Sequence, residues 1–165
     1  MSTISANTAK IFEPDQITAT PRALQVQHSR SSSTSPRTVQ QREISYGRFL
    51  YQYKGLIQDD SNWDEDCCRP TSRATSNTFK MLEEAGKQLP SGLPEGVLYP
   101  DGSGGLRVEF RTKIGTSEER YVLLNVHQDL SQQDFIYWQE GSNPGELRTA
   151  PSIFDLSERL DWLTR

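Results

Sequence analysis

The eight residues LPSGLPEG, 89–96, split the apolar pattern of the chain into two periods, and this split limits the possible folds more than any other feature. Its prolines and glycines interrupt both helix and strand. Before the break, Tyr46, Phe49, Leu50, Tyr53 and Ile57 recur at three- and four-residue steps, which predicts an amphipathic helix starting at Ile44 and ended by Asp59 and Asp60. The acidic stretch SNWDEDCCRP follows, closed by Pro70. Ser72 is then placed to cap a second helix from Arg73 to Ala85, with Gly86 where helices often stop.

After the break the period falls to two. Val97–Tyr99, Leu106–Thr112, Arg120–Val126 and Phe135–Glu140 are short runs rich in β-branched and aromatic residues, each bounded by turn formers. Helical spacing returns in PSIFDLSERLDWLTR, with Ser152 as cap, Asp155 at the capping-box position and Ile153, Leu156, Leu160 and Leu163 along one side. The expected fold is α+β: a four-stranded antiparallel meander with two helices before it and one after, the helices covering the sheet. FIYWQE places apolar side chains on both faces of its strand, so something is expected to cover the second face as well.

Residues 1–43 fit neither period. They are rich in Ser, Thr, Gln and Pro, and the chain as a whole is only 33% hydrophobic, against roughly 45–50% in globular proteins. A disordered polar tail over 1–43, followed by a domain over 44–165, accounts for both observations. The tail carries Lys10, Arg22, Arg30, Arg37 and Arg42 against Glu13, Asp15 and Glu43, a balance of +2, so with a net charge of -4 for the whole chain the remainder carries -6. An acidic domain argues against a nucleic-acid partner. No apolar run reaches the length of a membrane span, and the start has no secretory apolar core. The Ser- and Arg-rich stretch 17–42 resembles a transit peptide in composition, but Glu13 and Asp15 precede it and it lacks an apolar face, so a cytoplasmic protein is expected.

Cys67 and Cys68 are adjacent, a spacing too short for an easy disulfide, and are expected as reduced thiols. His28 and His127 are the only histidines and have no metal-ligand spacing, so neither a metal nor another cofactor is expected. A nucleophile among the cysteines would need His127 as its base, and a small buried hydrophobe is the commoner role of such a Cys. Asp59 with Asp60, and Asp64 with Asp66, lie in a polar loop with nothing apolar to raise a carboxyl into the working range of a general acid.

YPDGSGGLRVEF, 99–110, has the glycines of a phosphate loop. It lacks the following lysine and leads into a strand, so it is expected to turn a hairpin. In that strand Leu106, Val108 and Phe110 share one face, while Arg107, Glu109 and Arg111 share the other. The next strand adds Tyr121, Leu123 and Asn125 beside them. Aromatics and arginines are favoured at interface centres, so Arg107, Glu109, Arg111, Tyr121 and Leu123, together with Trp63 in the acidic loop, form the candidate partner-binding set.

The order of SNWDEDCCRPTS and LYPDGSGGLRVEF, over about residues 62–110, resembles that of a loosely defined group of short bacterial proteins. In that group a Trp-Asp loop precedes a DGxGGLRxEW-like hairpin, and Glu65 and Phe110 depart from the pattern here. The resemblance implies architecture and no catalytic residue. The expectation is a non-enzymatic protein-binding module that acts on another protein, with an antitoxin- or immunity-type inhibitor as the alternative and a small enzyme with an unplaced site as a second.

Overall fold

The period-two segments pair in chain order in the computed structural model, which describes residues 36–63 and 67–165. Strands β1 (Gly96–Pro100), β2 (Leu106–Thr112), β3 (Arg120–Val126), β4 (Phe135–Glu140) and β5 (Glu146–Thr149) form one antiparallel sheet of order β1-β2-β3-β4-β5. The meander therefore has five strands, not four. ELRT escapes a period-two reading because all four residues are exposed, so neither face is apolar.

One face of the sheet carries the core. Leu98, Leu106, Val108, Phe110, Val122, Leu124, Val126 and Ile136 share it and are buried. The helices α1 (Pro36–Gln58), α2 (Ser72–Gln88) and α3 (Ile153–Thr164) supply Phe49, Phe79, Leu82, Leu156, Leu160 and Leu163 to the same cluster. Phe49 meets Phe110 at a ring separation of 5.7 Å, and Phe79 receives the edge of Tyr53 at 5.3 Å. Burial of each such side chain stabilises the fold by about 1.5–3 kcal/mol. Among the described residues no helix is long and apolar enough to cross a membrane.

The helices depart from the expected boundaries for identifiable reasons. Helix α1 begins at Pro36, eight positions before Ile44, with proline at its first position, where the missing N–H costs nothing. The last part of the expected tail is therefore helical, and residues 1–35 lie outside the described residues. Arg42 Nε donates to Leu89 O at 3.0 Å, and Ser45 Oγ accepts from Leu93 N at 3.0 Å, so the early turns of α1 hold the Pro- and Gly-rich break. Gly92, at φ +75°, lets that break approach Ser45. Leu50 is 43% exposed and lies off the buried stripe, which runs through Tyr46, Phe49, Tyr53 and Leu56.

The cap of α2 is Thr71, not Ser72, and its side chain accepts from Ala74 N. Gly86 lies within α2, buried under Leu93, and the helix continues to Gln88. Helix α3 has the expected capping box between Ser152 and Asp155. At its far end the carbonyls of Trp162 and Leu163 accept from Arg120 Nη1 at 2.6 Å and Thr112 Oγ1 at 3.1 Å, which ties the helix across β2 and β3. Trp138, on the core face, is covered by Arg159 of α3, whose guanidinium lies 4.1 Å from the ring centroid.

Each edge of the sheet meets a different environment. At β1, the Gln52 side chain of α1 acts as a substitute strand: Nε2 donates to Gly96 O at 3.0 Å and Oε1 accepts from Leu98 N at 2.9 Å. At β5, no described residue bonds to the outward edge.

Candidate functional site

The glycine-rich loop supplies its own anion. Asp101 Oδ1 accepts from Ser103 N at 2.8 Å, Ser103 Oγ at 3.0 Å and Gly105 N at 2.7 Å, and its side chain is 2% exposed. Two of the loop's amides, Ser103 N and Gly105 N, are thus occupied by the protein's own carboxylate. Gly104, at φ +94°, turns the chain, whereas Gly105 is required by close approach, since a Cβ there would lie 2.6 Å from Val126 O. The loop's carbonyls in turn hold the start of α2: Cys68 N donates to Gly102 O and Thr71 N to Gly104 O, both at 2.9 Å. The stretch is a structural turn and a docking ledge.

The sheet face away from the helices is set by the register. Tyr99, Arg107, Asn125, Phe135 and Thr149 form one row across the five strands, and Val97, Glu109, Leu123, Tyr137 and Leu147 form the next. Arg111, Tyr121 and Gln139 form a third. Five of the six candidate residues are thus neighbours on one surface. Trp63 is not on the sheet: it follows the 3-10 turn Asp60–Asn62, and its ring lies 5.7 Å from the Arg69 guanidinium carbon. Its indole Nε1 is buried with no hydrogen-bond partner among the described residues.

The three charges of β2 are not an alternating solvated row. Glu109 is held on both oxygens: Oε2 accepts from Tyr99 OH at 3.0 Å, and Oε1 accepts from Arg111 Nε at 2.6 Å. Arg111 also reaches Glu119 at 3.6 Å and lies over the Tyr121 ring at 4.9 Å, so its charge is neutralised and stacked. Burial first, and then the Glu109 carboxylate, push the Tyr99 phenol up to about 12. The same two causes raise Tyr121 above its ordinary value. Arg107 differs: its Nε donates to Asn125 Oδ1 at 2.8 Å, and no carboxylate pairs with it among the described residues.

Behind Arg107 runs a polar chain that the sequence reading missed. Asn125, placed on the outward side as expected, is nevertheless 0% exposed, since it bridges Arg107 and the His127 ring. The Arg107 Nε can only donate, so Asn125 accepts through Oδ1 and donates through Nδ2 to His127 Nε2 at 3.0 Å. The neutral imidazole therefore carries its proton on Nδ1, which is buried 3.8 Å from Asp101 Oδ2. Nε2 is bonded to Asn125, whereas Nδ1 has no hydrogen-bond partner among the described residues, and neither nitrogen bonds a cysteine among them. Cys67 is half-buried and Cys68 exposed, and both are free thiols. His127 N donates to Asp134 Oδ1 at 2.9 Å, and Arg73 clamps Asp134 through both carboxylate oxygens, at 3.2 and 2.9 Å. No sequence motif announces this cluster, which brings together residues from β2, β3, α2 and two loops.

A cleft of about 730 Å³ opens beside the Glu109–Arg111 pair, between α1 and β1, floored by Phe49 and Val97 and edged by Arg48, Glu95 and Ile114. Among the described residues no cluster of His, Cys, Asp and Glu is arranged to hold a metal ion. No protein-family model, curated protein or solved structure matches the chain.

Proposed function

We propose that the chain is a non-enzymatic protein-binding module whose open sheet face receives a partner protein presenting a carboxylate to Arg107. The observation that carries this reading is the charge balance of the row: Glu109 and Arg111 satisfy each other, and Arg107 has no counter-ion among the described residues. Around it, Tyr99, Tyr121, Leu123 and Tyr137 are half-buried, with the Tyr121 and Tyr137 rings 5.9 Å apart. Arginine and tyrosine together are the composition favoured where binding energy concentrates. An inhibitor of antitoxin or immunity type is a narrower form of the same reading and rests on the resemblance of the loop and hairpin alone.

The test is affinity capture from native lysate with three baits: the wild type, Arg107→Gln and Lys54→Gln. Arg107→Gln keeps a donor for Asn125 and removes only the charge, and Lys54 is an exposed cation on α1 that serves as the control. A protein retained by the wild type and the Lys54 variant but lost with Arg107→Gln is the expected partner. Identical captured sets from all three baits would remove Arg107 from the binding site.

A further inference from the structure

We infer that β5 is a homodimer edge, pairing antiparallel with β5 of a second copy in a single register centred on Leu147. The direction of the free groups comes first. Ala150 N donates to Asp134 O at 2.8 Å, one step beyond the last ladder pair, Phe135 with Thr149. Hydrogen-bonded and non-bonded pairs alternate in an antiparallel ladder, so Ile136–Arg148 and Trp138–Glu146 are bonded pairs. The N–H and C=O of Glu146 and Arg148 therefore point at β4, and those of Leu147 and Thr149 point outward. All four residues of β5 are exposed, and Leu147 is 56% exposed.

The side chains then select the register. A two-fold axis through Leu147 places Leu147 beside its own copy as a bonded pair, and places Glu146 opposite Arg148 of the second copy, twice, in non-bonded pairs. Non-bonded pairs bring side chains closest, which favours opposite charges there. Shifting the axis to Glu146 or to Arg148 sets like charges directly opposite each other. Moving it toward Gly145 sets β5 opposite residues 141–144, which lie in a turn and are not strand, and moving it toward Thr149 brings in Pro151, whose missing N–H falls at an outward position. Glu146 has no ion pair within its own chain among the described residues, while Arg148 bonds Asp155 through one terminal nitrogen and keeps the other free.

The result is one continuous antiparallel sheet through both copies, with the open faces left uncovered, so the edge does not depend on the function proposed for Arg107. Sedimentation equilibrium of the full chain over rising concentration tests it. The wild type should move from 18.7 kDa toward twice that mass. Glu146→Arg and Arg148→Glu should each remain monomeric alone, since each sets like charges opposite one another. An equimolar mixture of the two should recover the dimer, since both cross-strand contacts become opposite in charge again. Amide exchange of the wild type gives a readout free of variants: Leu147 and Thr149 should gain protection with concentration, and Glu146 and Arg148 should not change. A wild type that stays monomeric throughout overturns the inference. So does a dimer that survives each variant alone, or one that leaves the Leu147 and Thr149 amides unprotected.

Discussion

Replacing Gly105 with alanine tests the reading of the glycine loop as a turn closed by its own carboxylate. The new Cβ would lie 2.6 Å from Val126 O and 2.7 Å from Asp101 Cγ, with Asp101 Oδ2 nearer still. Val126 O is backbone in a central strand and does not yield, so residue 105 must draw back from it and the Asp101 carboxylate must move as well. Moving it gives up the bonds from Ser103 N and Gly105 N and exposes a side chain that is 2% accessible. Hydrogen bonds to a charged group contribute about 1.5–3 kcal/mol each, and hydration of the freed carboxylate offsets part of that. Alanine also restricts the unfolded chain, which returns about 0.4–1 kcal/mol. The net loss should be about 2–4 kcal/mol, or a fall in Tm of roughly ten degrees in a domain of this size. Gly104→Ala should cost less, about 1–2 kcal/mol, because its nearest neighbour is 3.3 Å away and only the φ of +94° resists. Thermal and urea unfolding give both numbers. A Gly105→Ala protein as stable as the wild type, or more stable than Gly104→Ala, would refute the argument, as would stabilisation of the wild type by millimolar phosphate.

Other expectations concern the polar groups. Nitrogen-detected NMR of a His28→Gln protein, which leaves His127 as the only histidine, should show the neutral ring protonated on Nδ1; the Nε2 tautomer would mean that Asn125 is turned the other way. The Tyr99 phenol stays protonated to about 12, whereas in the unfolded chain it ionises near 10, so the stability it contributes is complete below pH 10 and is lost as pH rises toward 12. Glu109→Gln should bring Tyr99 and Tyr121 both down part of the way toward their ordinary value in an ultraviolet titration. Arg73→Met should cost about 1.5–3 kcal/mol, because it leaves the Asp134 carboxylate, 16% exposed, with the His127 backbone N–H but without its cation; a change under 1 kcal/mol would mean that solvent replaces the arginine freely.

Period was legible where one face was buried and the other wet. Leu106, Val108 and Phe110 in β2, and Leu156, Leu160 and Leu163 in α3, lie on the core as their spacing demands. β5 was not legible, because Glu146 to Thr149 have no buried face to impose alternation. The start of α1 was not legible either, since its anchors are Arg42 and Ser45, polar residues whose partners lie 47 and 48 positions away at the break. On the open face the sequence placed Arg107, Glu109, Arg111, Tyr121 and Leu123 side by side but could not tell a paired charge from an unpaired one. That distinction depends on Glu109 reaching back to Arg111 rather than across to Arg107, and on Asn125 filling the space between Arg107 and His127.

The Gln52 amide at the β1 edge sets a limit on assembly. A sheet with two open edges is a bifunctional monomer, and its pairing propagates into a filament; a sheet with one open edge is monofunctional, and its first pairing is also its last. By holding Gly96 O and Leu98 N, a single neutral side chain from α1 gives this domain the functionality of a chain terminator. Substituting Gln52 with leucine would free both groups and convert a species that closes at two copies into one able to grow from either end. Light scattering over time would then rise without reaching a plateau.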